Sequence, residues 1–216
     1  MHDAAEDKAP EVVGFIERYL RETSEIARRT DVASLHAAAR LLFGAWSRRA
    51  RVFTAGNGGS AANASHLASD LAKFTRVPDR HGFRVHALTD NASLISAITN
   101  DLGFHEVFTA QLEPLLEAGD VLVCLSVHGG AGADRAGPWS QNLVAAATLA
   151  KARGASVLAL VGYDGGGLAA LADVAVIVPS PENGTSSTPH VEGFHAVYHH
   201  LLCALLRDAC AKNTSP

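Results

Sequence analysis

RVFTAGNGGSAANASHLASDLAKFT (51–75) begins as a short apolar run, breaks at a glycine, turns through NGGS and continues with apolar residues at helical spacing. Strand, glycine-rich turn and helix in that order form one βα unit of a parallel sheet. The spacing predicts a strand over 51–56 and a helix over 63–75. Working outward, the same alternation repeats toward the C-terminus. RVHALT (84–89), DVLVCLSV (120–127), SVLALVGY (156–163) and DVAVIVP (173–179) read as strands. Helices are predicted at about 92–99, at 143–154 with a closing glycine, at 166–172, and from Val191 to Ala211. Strands of Val and Leu without polar alternation suit a parallel sheet covered on both faces.

Toward the N-terminus the pattern is helical only. Val12, Val13, Phe15, Ile16, Leu20 and Ile26 recur mostly at three and four residues, and a second helix starts after Asp31, a good N-cap. The fold class expected is α/β: a doubly wound, five-stranded parallel sheet with helices on both faces, preceded by two N-terminal helices. No repeat or linker divides the chain, so 1–216 reads as one domain, with 1–50 as a helical extension and 51–211 as the core.

The 216 residues are enough to bury a large core without disulfides or metal. A net charge of −4 argues against a nucleic-acid footprint, and the basic cluster Arg48, Arg49, Arg51 is too short to change that. No run of about 20 apolar residues suggests a membrane span, and the start MHDAAEDKAPE is acidic where a secretion signal is basic. Cys124, Cys203 and Cys210 lie in apolar stretches and read as reduced core residues. A cytoplasmic protein is expected.

In such a sheet, ligands bind beyond the carboxyl ends of the strands, over helix N-termini. Three loops there are chemically suggestive. In AGNGGSAANASH (55–66), Gly56, Gly58 and Gly59 permit close backbone approach and Ser60 can bond an anion; the sequence is neither a dinucleotide fingerprint nor a P-loop. SVHGGAGADRAGPWSQN (126–142) is long for a βα connection and carries Ser126 and His128 beside glycines. SPENGTSSTPH (180–190) leads into VEGFHAVYHHLL, where Glu192, His195 and His199 fall at i, i+3 and i+7, and His200 lies about 80° further round. His66 and Asp70, at i and i+4, share a face of the earlier helix. Metal ligation and acid–base chemistry both fit this group.

With GNGGSAANASH in view, the chain resembles the sugar isomerase (SIS) domain proteins, in their phosphoheptose isomerase branch. The likeness extends to TDNASLISAITNDLGFHEVF (89–108), EAGDVLVCLSVHGG (117–130) and VEGFHAVYHHLLCALL (191–206). It implies a SIS-type fold, and a homotetramer with the N-terminal helices bundled and sites completed between subunits. It implies that Asn57 and Ser60, with Gly58 between them, hold the sugar phosphate, that Ser126 opens the second phosphate loop, and that Asp90 is the substrate-loop aspartate. Asp70 and His200 match the proton-transfer pair. His66 and Glu192 complete with them a site for zinc or another divalent cation, and Glu192 also borders the substrate.

Three departures stand out. Asp70 replaces glutamate and draws the carboxylate back by about 1.5 Å. Glu192 replaces glutamine and adds negative charge that favours a cation. SVHGG replaces a serine-rich loop, so that His128, Ser140 or Arg135 substitutes for its hydroxyls. The implied activity is conversion of sedoheptulose 7-phosphate to a mannoheptose 7-phosphate through an enediol. The alternatives are an isomerase or lyase of another phosphosugar, and a regulator of replication initiation from the same branch. A pure binding protein has no need of Glu192, His195, His199 and His200 together.

Overall fold

The computed structural model describes residues 9–130, 139–182, 184 and 187–216. Helices α1 (Ala9–Arg29) and α2 (Val32–Ser47) precede β1 (Arg51–Gly56). Asp31 caps α2, its carboxylate accepting from the Ala33 amide. Then come α3 (Gly59–Ser69), continued by a π-turn over Asp70–Phe74, β2 (Arg84–Ala87) and α4 (Ala92–Asp101). A 3₁₀ turn (Phe104–Glu106) and the short α5 (Thr109–Leu112) lead to β3 (Val121–Ser126). The chain ends through α6 (Gln141–Ala152), β4 (Ser156–Val161), α7 (Gly166–Leu171), β5 (Val174–Ile177) and α8 (Thr188–Lys212).

All five strands are parallel, in the order β2-β1-β3-β4-β5. The expected doubly wound α/β sheet is therefore present, and β3 is buried along its whole length. Alternate strand residues face opposite layers. Val121, Val123, Leu125, Leu158 and Leu160 pack against α2, α3 and α8; Leu122, Cys124, Val157 and Ala159 pack against α6 and α7. The three cysteines are free and buried, as the sequence suggested.

Two elements differ from expectation. Helix α3 starts at Gly59 instead of 63, because the left-handed Gly58 (φ 56°) turns the chain tightly enough for Ala61 and Ala62 to bond back to Asn57 and Gly58. Residues 104–112, for which no element was expected, form the 3₁₀ turn and α5, and bury Val107, Phe108 and Leu112 against the sheet. Among the described residues, no helix is long and apolar enough to cross a membrane.

Candidate active site

Strand order fixes where a ligand can sit. The sheet grows one way from β1 to β2 and the other way from β1 to β3, so the crevice beyond Gly56 and Ser126 lies at the switch point. The two candidate anion loops meet there. The Asn57 and Asn142 side-chain amides bond reciprocally at 2.9 and 3.1 Å, and the Asn57 amide also donates to the Ser140 hydroxyl at 3.4 Å. Ser126 Oγ accepts from the Gly129 amide at 3.1 Å and lies 3.4 Å from Ser140 Oγ. The resulting cleft, about 100 Å³, is bordered by Asn57, Ser60, Ser126, His128, Ser140 and Glu192. Thr54 anchors α3 beneath it, its hydroxyl donating to the Ala64 carbonyl at 2.9 Å.

His128 stacks on Tyr163 with ring centroids 4.3 Å apart, and meets the edge of Trp139 at 4.9 Å. An aromatic wall thus stands at the mouth of the cleft. Neither Trp139 nor Tyr163 was expected there; the tryptophan sat in the long loop already suspected, but Tyr163 arrives from the turn after β4 and left no local signal. Arg135 lies outside the described residues. Asp90 is tied to α3 by Ser65, whose hydroxyl donates to it at 2.5 Å and lies 2.7 Å from Thr89 Oγ1.

Further along α3 and α8, four side chains converge. Asp70 Oδ2 lies 3.6 Å from His66 Nε2, 3.7 Å from His199 Nε2 and 3.5 Å from His200 Nε2, while the His66 and His200 Nε2 atoms are 3.4 Å apart. One donor atom from each of the four falls within 4.8 Å of all the others. His66 and His200 are about half exposed; His199 is fully buried. Of the four residues expected to hold a cation, three (His66, Asp70 and His200) come together. Glu192 does not join them: its carboxylate crowds Gly59, where a Cβ would lie 2.3–2.5 Å from it, and its backbone carbonyl accepts from Asn63 at 3.0 Å. His199, identified from the sequence as a face-mate of Glu192, takes a place in the group.

Burial, followed by the charges of His200 and His66, pushes the His199 imidazole down to about 4. His195, also buried, is pushed down to about 4, chiefly by desolvation. A histidine buried neutral and charged when unfolded stabilises the fold above the unfolded value near 6.5, and that contribution is lost as pH falls toward the folded value. In metal-free protein, His195 is expected to cost on the order of 3 kcal/mol of stability between neutral pH and pH 4. His195→Leu should flatten urea-unfolding stability over that range; an unchanged slope would sink the assignment.

The SIS domain family matches residues 15–162. This chain is a SIS-domain protein. It is 44% identical over 191 residues to the lincomycin biosynthesis protein LmbN of Streptomyces lincolnensis, covering 88% of this chain and 68% of that one. It is 35% identical over 192 residues to the phosphoheptose isomerase of Geobacter metallireducens, covering 89% and 94%. Among solved structures, phosphoheptose isomerase GmhA from Neisseria gonorrhoeae superposes with a TM-score of 0.76 at 30% identity, over 92% of this chain and 98% of that one. The SIS-domain chain thus belongs with the phosphoheptose isomerase branch.

Proposed function

We propose that this sugar-phosphate isomerase interconverts a ketose and an aldose phosphate through a cis-enediol, turning sedoheptulose 7-phosphate into D-glycero-D-manno-heptose 7-phosphate. One observation carries the reading: the anion-type cleft and the His–Asp group share the same two helices. Glu192 meets Gly59 at one end while His199 and His200 meet Asp70 at the other, so α3 and α8 run in the same direction. The helical rise from Ser60 is about 9 Å to His66 and about 15 Å to Asp70. An extended seven-carbon phosphate spans roughly 8–10 Å on ordinary bond lengths, so it can hold its phosphate at the cleft and present carbons 1 and 2 near the histidines.

Asn57, Gly58, Ser60, Ser126 and His128 would hold the phosphate end, with Glu192 and Asp90 toward the sugar hydroxyls. Of Asp70 and His200, one takes a proton from carbon 1 and the other moves the hydroxyl proton from oxygen 1 to oxygen 2; the first proton is returned to carbon 2. Imidazole and carboxylate donors suit zinc. A bound divalent cation would supply Lewis-acid stabilisation of the enediolate oxygens. Because Asp70 and His200 serve both roles, ligation and proton transfer must alternate.

A second reading, an isomerase of a different sugar phosphate, is favoured by the aromatic wall at His128 and by the identity to a lincomycin biosynthesis protein. The test is incubation with sedoheptulose 7-phosphate and with five-, six- and eight-carbon ketose phosphates in D₂O, followed by NMR. Aldose formation with deuterium at carbon 2 from the seven-carbon substrate supports the first reading. Turnover of another chain length alone supports the second. No exchange with any of them favours the regulator.

The homotetramer is proposed on the apolar stripe Val12, Phe15, Ile16 and Leu20, each more than half exposed on α1, and on Val197, Leu201 and Leu205 of α8, all exposed. Light scattering should give four times the 22.6 kDa chain mass; a monomer at micromolar concentration would end that assignment. We place the enzyme in the cytoplasm, where sugar phosphates are made.

A further inference from the structure

We propose that Tyr163 is a positioning residue of the phosphate cleft, its stack on His128 aiming the imidazole at the sugar phosphate. This rests on the reading above that the cleft holds a phosphate. Charge is what makes the aim matter. Asn57, Ser60, Ser126 and Ser140 offer an amide and hydroxyls, and Glu192 brings a negative charge to the border. Among the described residues lining the cleft, His128 alone can carry a positive charge. A charge-assisted hydrogen bond to a phosphate there must come from that imidazole.

Imidazole nitrogens lie in the ring plane, so a partner on the ring face leaves them free to donate sideways. Tyr163 is such a partner, with centroids 4.3 Å apart and planes 27° from parallel. Trp139 meets the same imidazole at 4.9 Å with planes at 67°. The ring is thus held from two directions, by contacts that are favourable beyond the area they cover. Tyr163 is 39% exposed, so burial is not what keeps it in place.

The backbone is bent to make the stack. Tyr163 has φ 52°, a left-handed conformation rare for a bulky residue, and Ser140, on the border of the cleft, has φ 57°. Strain of this kind persists where the surroundings over-determine it, and it collects at ligand clamps. Three backbone hydrogen bonds do so here. The Gly162 amide donates to the Val127 carbonyl at 3.1 Å, Leu168 to Gly129 at 2.8 Å and Gly167 to Gly130 at 3.3 Å. A Cβ on Gly166 would lie 2.5 Å from the His128 carbonyl oxygen, so backbone packs directly on backbone and the two rings keep their register. A turn that needed only its shape would be served at less cost by glycine or asparagine at position 163.

The test is calorimetric titration of the full chain with inorganic phosphate, with KM and kcat for the sugar phosphate measured alongside. Tyr163→Phe keeps the stack and should bind phosphate within about threefold of wild type. Tyr163→Asn suits the left-handed backbone but cannot stack; phosphate binding should weaken and KM rise about tenfold, the size of one charge-assisted bond. Its kcat should change little, and its Tm should hold or rise as strain is relieved. His128→Asn should lose at least as much affinity, and the double variant no more than His128→Asn alone, because Tyr163 acts through His128. Unchanged affinity in Tyr163→Asn, an equal loss in Tyr163→Phe, additive losses in the double variant, or a wild type that binds no phosphate would overturn the proposal. A Tm that falls while affinity holds would make Tyr163 a packing residue and overturn it as well. The expected phosphate pattern without isomerisation would keep this inference and end the isomerase reading. Isomerisation by Tyr163→Asn with an unaltered KM would do the reverse.

Discussion

Asp70→Asn is expected to lower the rate of deuterium incorporation from solvent, and of aldose formation, by 10²–10⁴-fold, the range that a positioned acid or base contributes. The change is nearly isosteric, so the helix and its π-turn should survive; what is lost is an oxygen able to take a proton. The same oxygen lies 3.5–3.7 Å from three imidazole nitrogens, so the substitution also removes the charge on which His66, His199 and His200 converge. KM should move little, because Asn57, Ser60 and Ser126 lie at the far ends of the same helix and loops. His200→Gln should fall in the same range. The double variant should lose hardly more than either single one, since paired groups that act as a unit are strongly non-additive. Asp70→Glu restores the carboxylate with one more methylene and should retain measurable activity. Saturating zinc in every assay separates loss of the base from loss of metal. An Asp70→Asn enzyme with more than a tenth of wild-type exchange would remove Asp70 from the chemistry.

The parts of this molecule legible in the sequence are those set by near neighbours along the chain. Strands β3 and β4 were readable because a strand buried on both faces needs an unbroken apolar run, and VLVCLS and VLALV are such runs. The helical start at Gly59 was read late because Gly58 makes the turn from a left-handed conformation that no side-chain pattern announces. Long-range pairing was hidden. Nothing local tells Asn57 that it will bond Asn142, 85 positions away, and that contact joins the two anion loops. The distance of Glu192 from the histidine group has a sharper cause. Its spacing to His199 and His200 puts it on or near their face of the helix, but sharing a face is not sharing a depth. At 1.5 Å per residue, two turns separate it from the histidines, and Gly59 occupies the space beside it. His199 carried the periodic signal that Glu192 carried, and it stands at the height of Asp70.

Gly56→Ala should damage both stability and phosphate binding, though it adds only one methyl group. The reason is steric. A Cβ at position 56 would lie 2.3 Å from the Ser60 carbonyl oxygen, 2.5 Å from its carbonyl carbon and 2.9 Å from the Ala61 amide nitrogen. All three are backbone atoms of the first turn of α3, and they cannot swing aside as a side chain would. Either β1 recedes or the turn lifts. Strand β1 is paired on both sides, with β2 and with β3, so the turn is the part free to yield. That turn carries Ser60, itself buried, and follows Asn57 directly. Overpacking of this kind costs about 1–3 kcal/mol. For a chain of this length, that converts to a fall in Tm of roughly 2–4 °C per kcal/mol. Gly14→Ala is the control: it sits within α1 with nothing near its would-be Cβ, and should hold or raise Tm by the gain in helix propensity. Calorimetry with and without sugar phosphate, together with KM, distinguishes strain from binding. A lifted turn predicts a lower Tm, a KM raised about tenfold or more, and less protection by ligand. A lowered Tm with unchanged KM would mean that the strand yields instead, and that Ser60 keeps its place without Gly56.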